Sequence, residues 1–115
     1  MRVTIYHNPR CTKSRQALAL LEQRGFKPTM IEYLVKPPTE KELKHLLKLL
    51  GMRPRELLRK KETEYKEANL DNPDLSDTEI IRAMVKHPRL IERPIVVVGN
   101  KAALGRPPEN VLKIL

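Results

Sequence analysis

The sequence predicts an α/β protein in which a mixed four-stranded sheet is combined with an inserted helical segment. Three patterns carry this prediction: a strand, helix, strand order over residues 2–34, two helix-capping boxes in the middle of the chain, and a β-hairpin pattern after residue 92. With 115 residues, the chain is long enough for one compact domain with its own hydrophobic core.

The first strand, helix and strand are predicted from apolar periodicity and from turn residues. Residues 2–7 (RVTIYH) alternate and are rich in β-branched side chains, as is typical of a strand. A helix is predicted from about Cys11 to Arg24, because Gly25 suits its end and one face carries Ala17, Leu18 and Leu21. Residues 29–34 (TMIEYL) predict a second strand, parallel to the first through a right-handed crossover.

The middle of the chain predicts helices. Capping boxes at Thr39–Glu42 and Ser76–Glu79 precede two apolar stripes, and Gly51 and Pro88 end the helices that carry them. A shorter helix is predicted from about Pro54. The stripes consist of Leu43, Leu46, Leu47 and Leu50 in the first helix and of Ile80, Ile81, Met84 and Val85 in the second.

The C-terminal part predicts a hairpin and a last helix. Residues 93–98 (RPIVVV) and 101–104 (KAAL) flank Gly99 and Asn100, and such a pair between apolar runs indicates an antiparallel turn. The short terminal helix carries Val111, Leu112 and Leu115.

The complete order of elements matches a thioredoxin-like core with helices inserted in its middle. We expect the core at about residues 1–35 and 88–115 and the insertion at about 38–87, within a single domain of residues 1–115. The sequence contains no internal repeat and no linker long enough to split the chain.

The formal charge of +9 and the pI of about 9.9 raise the question of a nucleic-acid ligand. However, acidic and basic residues interleave over residues 39–67, on the predicted outer faces of helices. Three Tyr, one Phe and no Trp supply few platforms for base stacking. We therefore expect no nucleic-acid partner, whereas a basic protein does attract small oxyanions.

The single cysteine excludes an intrachain disulfide and fits a reducing compartment. The N-terminal apolar run is too short for a signal peptide, and no segment approaches the roughly 20 apolar residues that span a bilayer. We therefore expect a soluble, cytoplasmic protein without a membrane partner.

That cysteine, Cys11, is predicted to follow a strand and to begin a helix. Free backbone N–H groups and the positive end of the helix dipole stabilise an anion there. Arg10, Lys13 and Arg15 are close in sequence, and His7 is able to donate a hydrogen bond or a positive charge. These neighbours predict a lowered thiol pKa and a nucleophilic thiolate, with a buried, inert cysteine as the alternative.

Three arginines extend this candidate site. Arg93 and Arg106 each precede a proline, which favours extended geometry and places them at strand ends where active-site loops collect. Arg59 ends the stretch RELLR. Each arginine taken alone is most simply a surface residue, but guanidinium groups bind tetrahedral oxyanions in a bidentate manner. With Cys11, they predict a thiolate beside an oxyanion-binding cradle.

Four blocks, YHNPRCTKSR, LLRKKETEYKE, ERPIVVV and GRPPENVL, occur in an order and at separations that resemble the glutaredoxin-coupled arsenate reductase family. The resemblance covers essentially the whole chain and implies a thioredoxin-like fold with a helical insertion. It implies that Cys11 attacks arsenate, that His7 tunes the thiol, and that Ser14 is placed to hydrogen-bond the sulfur. The implied oxyanion ligands are Arg59, Arg93 and Arg106.

The implied reaction uses no metal and no bound cofactor. The Cys11 thiolate displaces an oxygen from arsenate, glutathione attacks the adduct as co-substrate, and glutaredoxin collects the mixed disulfide. A monomer is expected, and the fold implies a cis peptide bond between Arg93 and Pro94. The sequence departs from the best-known resistance enzymes, because Thr12 and Lys13 replace their Gly-Thr pair and their longer C-terminal extension does not follow Leu115.

The sequence is also compatible with two other functional classes. One is an RNA-polymerase-binding regulator of the same broad family, which uses a Cys-x-x-Cys redox switch; here Ser14 occupies the second position, so such a switch cannot form. The other is a general glutathione-dependent thiol oxidoreductase, which would not need the three arginines. Arsenate-dependent consumption of NADPH in a glutathione-coupled assay separates these classes from an arsenate reductase.

Overall fold

The computed structural model describes residues 2–115 and divides them into two compact units. We call them the sheet unit, which runs up to Lys36 and resumes from Arg93 to Leu115, and the helical unit, Pro37–Glu92. Within residues 2–115, no helix combines the length and the apolar character needed to cross a membrane.

The sheet unit is built on a mixed four-stranded sheet, as predicted. Its elements are β1 (Val3–Tyr6), α1 (Thr12–Gln23), β2 (Thr29–Ile31), β3 (Ile95–Val98), β4 (Lys101–Leu104) and a C-terminal 3₁₀-helix (Pro108–Ile114). The strand order is β2-β1-β3-β4. β1 and β2 are parallel, whereas β3 is antiparallel to both β1 and β4, so the parallel pairing and the hairpin are both confirmed. The second strand ends at Ile31, earlier than the predicted Leu34.

Apolar side chains from the sheet, α1 and the 3₁₀-helix form the core of this unit. Alternation along β1 buries Val3 and Ile5, and Ile5 pairs directly with Val96 of β3. Removing such side chains from water is the main stabilising contribution, about 1.5–3 kcal/mol for each large aliphatic residue. The buried cluster consists of Val3, Ile5, Ala17, Leu21, Val96, Val98 and Val111.

The helical unit contains α2 (Glu40–Leu50), α3 (Pro54–Leu57), α4 (Thr63–Glu67), α5 (Asp77–Lys86) and a 3₁₀-helix (Pro88–Leu90). Helices α2, α3 and α5 match the predicted helices. Helix α4 was not predicted, because it buries no residue and therefore has no apolar stripe in the sequence. The terminal helix is present but is of the 3₁₀ type, and the apolar periodicity did not distinguish this type from an α-helix.

Both predicted capping boxes are confirmed. The Thr39 hydroxyl accepts a hydrogen bond from the N–H of Glu42 (3.1 Å), and the Glu42 carboxylate accepts one from the N–H of Thr39 (3.1 Å). Ser76 and Glu79 make the same pair of bonds at the start of α5. Gly51 ends α2 in the left-handed region (φ 67°), where a side chain would be disfavoured.

Candidate active site

Cys11 is the N-cap residue of α1, directly after the loop that leaves β1. Its backbone is extended (φ −91°, ψ 122°), and its N–H donates to the carbonyl of Asn8 (3.0 Å). The side chain is half-buried. The first turn of α1 contains no acidic residue, so no negative charge from that turn opposes an anion at the positive end of the helix.

The surroundings of the Cys11 sulfur favour the thiolate. Burial raises the pKa of the thiol, but the backbone N–H of Ser14, the Arg93 guanidinium and the backbone N–H of Lys13 together lower it below its ordinary value. Arg93 acts both as a hydrogen-bond donor to the sulfur and as a positive charge. The lowered pKa that the sequence predicted is therefore present, and backbone N–H groups at the start of the helix contribute to it as predicted. The side-chain contribution comes from Arg93, whereas the sequence had pointed to His7, Arg10, Lys13 and Arg15.

His7 is directed to Ser14. Its Nδ1 lies 2.6 Å from the Ser14 hydroxyl oxygen, which also accepts a hydrogen bond from the N–H of Asn8 (3.1 Å). All three residues are buried. Burial lowers the pKa of His7, the charge of Glu32 raises it and that of Arg15 lowers it, with a net decrease. The imidazole is thus mainly neutral near pH 7. It holds the Ser14 side chain, while the Ser14 backbone N–H donates a hydrogen bond to the Cys11 sulfur.

Arg93 and Arg106 lie at the neighbouring ends of β3 and β4, because Ile95 pairs with Leu104 in the hairpin. The Arg93–Pro94 peptide bond is cis, as predicted, and the Arg106–Pro107 bond is cis as well, which was not predicted. The Arg106 guanidinium donates a hydrogen bond to the Arg93 carbonyl (Nη1–O, 3.0 Å). The two arginines are therefore directly connected beside the thiol.

Arg59 lies in the helical unit and is held by two carboxylates. Its Nε donates to Glu62 (3.2 Å) and its Nη1 to Glu92 (2.5 Å). Burial lowers the pKa of Arg59, but Glu92 and Glu62 raise it by more. Arg89 joins the group through Glu62 (3.2 Å), so Arg59 belongs to an ion-pair cluster.

The structure joins five of the six predicted site residues by successive interactions within the sheet unit: His7 with Ser14, Ser14 with Cys11, Cys11 with Arg93, and Arg93 with Arg106. The sixth, Arg59, belongs to the helical unit. The partners that sequence analysis missed are Asn8, Glu62, Glu92 and Asn110. Of these, Glu62 and Asn110 are close in sequence to their partners, three positions after Arg59 and four positions after Arg106.

A metal centre is not formed by the described residues. Within residues 2–115, no group of three or more His, Cys, Asp or Glu side chains is arranged to hold a metal ion.

Comparison with known proteins places this chain in a family. Residues 6–114 match the ArsC family. A Haemophilus influenzae protein named arsenate reductase is 52% identical over 116 residues, covering 100% of both chains. An Escherichia coli protein named "Uncharacterized protein YfgD" is 54% identical over 114 residues, which cover 98% of this chain and 96% of that protein.

A solved structure described as the arsenate reductase from Vibrio cholerae matches this chain with a TM-score of 0.98 at 53% identity, over 100% of this chain and 98% of that one. This match confirms the thioredoxin-like α/β fold with its mixed four-stranded sheet and inserted helices. Together with the match over residues 6–114, it also confirms the family predicted from the four sequence blocks: the chain belongs to the ArsC family.

Proposed function

We propose that the protein reduces arsenate to arsenite, with Cys11 as the nucleophile and glutathione and glutaredoxin as the electron donors. The observation that carries this proposal is the Cys11 sulfur, which lies at the start of α1 against the N–H groups of Ser14 and Lys13 and the guanidinium of Arg93. It is supported by relatives in Haemophilus influenzae and Vibrio cholerae that are named arsenate reductase.

In the first step, the Cys11 thiolate attacks arsenic(V). A sulfur–arsenic bond forms, and one arsenate oxygen takes up protons and leaves as water. The product is a thiolate–arsenic(V) adduct that keeps negative charge on its oxygens. We assign Arg93, Arg106 and Arg59 to these oxygens, because guanidinium groups match tetrahedral oxyanions in shape and charge. Ser14 and His7 act on the sulfur side, where Ser14 supplies its N–H and His7 fixes the serine.

In the second step, a glutathione thiolate attacks the Cys11 sulfur. The sulfur–arsenic bond breaks, and its electron pair remains on arsenic, which leaves as arsenite. Arsenic gains two electrons, and the two sulfurs lose them by forming one disulfide. The chain has a single cysteine, so the second sulfur must be external. A glutaredoxin thiol then attacks the mixed disulfide on the glutathione sulfur and releases the Cys11 thiolate.

The proposal therefore assigns arsenate, glutathione and glutaredoxin as partners, and no bound cofactor. We further propose that the protein acts as a monomer in the cytoplasm, where glutathione is available in reduced form.

An NADPH-coupled assay tests the reaction. With arsenate, glutathione, glutaredoxin and glutathione reductase present, we expect NADPH consumption that stops when either arsenate or glutathione is omitted. Mass spectrometry after one turnover without glutaredoxin should show a glutathione adduct on Cys11. Activity that survives Cys11→Ser would overturn the proposed nucleophile. Arsenate reduction driven by thioredoxin alone would instead overturn only the assignment of glutathione.

The arginine assignment has its own test. Replacing Arg59, Arg93 or Arg106 by Ala should lower arsenate turnover by roughly 10- to 100-fold each, the scale expected for one charge-assisted hydrogen bond. Lys48→Ala is the matched control, because Lys48 is an exposed cation on α2. Normal turnover in all three arginine variants would show that the oxyanion-binding role is wrong.

A further inference from the structure

The end of β4 and the C-terminal 3₁₀-helix contain a series of hydrogen bonds that leads to the candidate nucleophile. The Asn110 side chain donates from Nδ2 to the Arg106 carbonyl (3.1 Å). The Arg106 guanidinium donates to the Arg93 carbonyl (3.0 Å), and the Arg93 guanidinium interacts with the Cys11 sulfur. All four residues belong to the sheet unit.

Close packing of the backbone supports the same connection. Gly105 is buried, and its N–H donates to the Pro94 carbonyl (2.8 Å). A Cβ on Gly105 would lie only 2.7 Å from Cγ of the Pro94 ring, closer than real Cβ contacts come. The segment that carries Arg106 therefore packs closely against the segment that carries Arg93, and this packing couples the positions of the two segments.

We propose that Arg106 and Asn110 are positioning residues for Cys11: Asn110 holds the Arg106 backbone, Arg106 holds the Arg93 backbone, and Arg93 is thereby aimed at the sulfur. This inference deepens the proposed function, on which it rests, because it concerns the same thiol. It adds a second role for Arg106, in the ligand-free protein. The guanidinium carries several N–H donors, so one bond to the Arg93 carbonyl is compatible with a bond to an oxyanion.

The proposal separates two roles that arsenate turnover cannot separate. If Arg106 only binds the oxyanion, its removal lowers turnover but leaves the thiol of the ligand-free protein unchanged, because the guanidinium charge that lowers the pKa of Cys11 is that of Arg93. If Arg106 also positions Arg93, its removal weakens the interaction of Arg93 with the sulfur, and a smaller fraction of Cys11 is thiolate at a given pH. Asn110 acts one bond further away, so its removal should have the smaller effect.

The test is the rate of iodoacetamide alkylation of Cys11 against pH, without arsenate. On the acidic side of the midpoint, we expect the rate to fall by roughly three- to tenfold in Arg106→Ala and by roughly two- to fivefold in Asn110→Ala, less than the loss of a direct charged hydrogen bond, because both residues act on the sulfur through Arg93. Asn110→Gln keeps a carboxamide donor and should recover part of the loss. Gln23→Ala removes an exposed carboxamide from the same unit and should change nothing.

Each variant is first checked for a cooperative thermal unfolding transition, and Arg106→Lys replaces Arg106→Ala if the alanine variant does not fold. Midpoints that equal the wild-type value in the folded Arg106 and Asn110 variants would overturn the positioning role. That outcome is distinct from failure of the proposed function, because alkylation is measured without substrate. Conversely, shifted midpoints in a protein that does not reduce arsenate would support the positioning role and refute only the substrate.

Discussion

The N-termini of α1 and α5 differ in how they are capped. At α5, the Ser76 hydroxyl accepts a hydrogen bond from the N–H of Glu79, and Asp77 and Glu79 place negative charge in the first turn. At α1, the N-cap is Cys11, its side chain makes no capping hydrogen bond of this kind, and the first turn has no acidic residue. The N–H groups at the start of α5 thus have permanent partners, whereas the start of α1 favours the anion that forms when the Cys11 thiol ionises.

Under the proposed function, this difference means that one helix end contributes to stability and the other to the reactivity of a thiol. A serine cap contributes about 1 kcal/mol to stability. A cysteine at the same position caps less well as a thiol, but its pKa falls because the helix end favours the thiolate. With Cys11 as the proposed nucleophile, part of the stability of α1 is given up at the position where the proposed reaction needs a thiolate.

Replacing Cys11 by Ser makes the two helix ends alike, and it should have the largest effect. We expect arsenate-dependent NADPH consumption to disappear, because a hydroxyl cannot act as the thiolate or form a disulfide. The same variant should be more stable, by roughly 0.5–1 kcal/mol in urea unfolding at an acidic pH that keeps Cys11 protonated, since a serine oxygen is a better cap than a neutral thiol. Unchanged activity would contradict the proposed nucleophile, and a large loss of stability would contradict the comparison of caps.

An acidic residue in the first turn of α1 would give this helix the same first-turn charge as α5, without replacing the cysteine. Thr12→Glu should raise the pKa of Cys11, because a carboxylate next to a thiolate disfavours its charge. We expect the alkylation rate below the midpoint to fall by roughly threefold or more, the scale of a surface charge at a helix end. Thr12→Gln is the matched neutral control. Equal rates for Glu and Gln would mean that the absence of acid from this turn has no influence on the thiol.

Removal of the Ser76 cap tests how much the N-terminus of α5 contributes to stability. Ser76→Ala should destabilise the protein by about 1 kcal/mol, because the N–H of Glu79 loses its partner. Ser76→Asp, which can still accept that hydrogen bond, should lose much less. Urea unfolding measures both, and alkylation of Cys11 should be the same in the two variants. A change in Cys11 alkylation would show that this cap is linked to the site.

The smallest expected effect is a pH dependence of stability from His7. Burial lowers the pKa of His7 in the folded protein, so the unfolded chain binds more protons below about pH 6.5. Stability should therefore fall as the pH decreases from about 6.5 through the folded-state pKa. His7→Gln should remove this component from urea unfolding measured between pH 7.5 and pH 5. His45→Gln, at an exposed position on α2, should keep the wild-type dependence.

The parts of the fold that sequence analysis predicted correctly depend on local signals. Capping boxes, the Gly99-Asn100 turn and the alternation of β1 each act within a few residues, so their chemistry is visible in the sequence. Helix α4 has no such signal, because it is short and solvent-exposed.

The candidate site was predicted less completely, because several of its contacts join residues far apart in the chain. The lowered pKa of Cys11 was expected, but Arg93, which helps to cause it, is distant from Cys11 in the sequence, and no local pattern encodes their interaction. His7 was expected to act on the thiol, and its contact in the structure is with Ser14, whose N–H interacts with the sulfur. The pairing of Arg59 with Glu92 spans 33 positions, and no periodicity encodes it.

The strand order β2-β1-β3-β4 leaves β2 and β4 as the two edges of the sheet, and unpaired edges are where separate chains join into aggregates. β2 is only three residues long, and β4 begins with an exposed lysine, Lys101. A short edge offers few backbone groups to a neighbouring copy, and a lysine at the other edge is costly to bury. With a net charge of +9, copies of the protein also repel one another. The outer strands thus oppose growth of the sheet from chain to chain at high protein concentration.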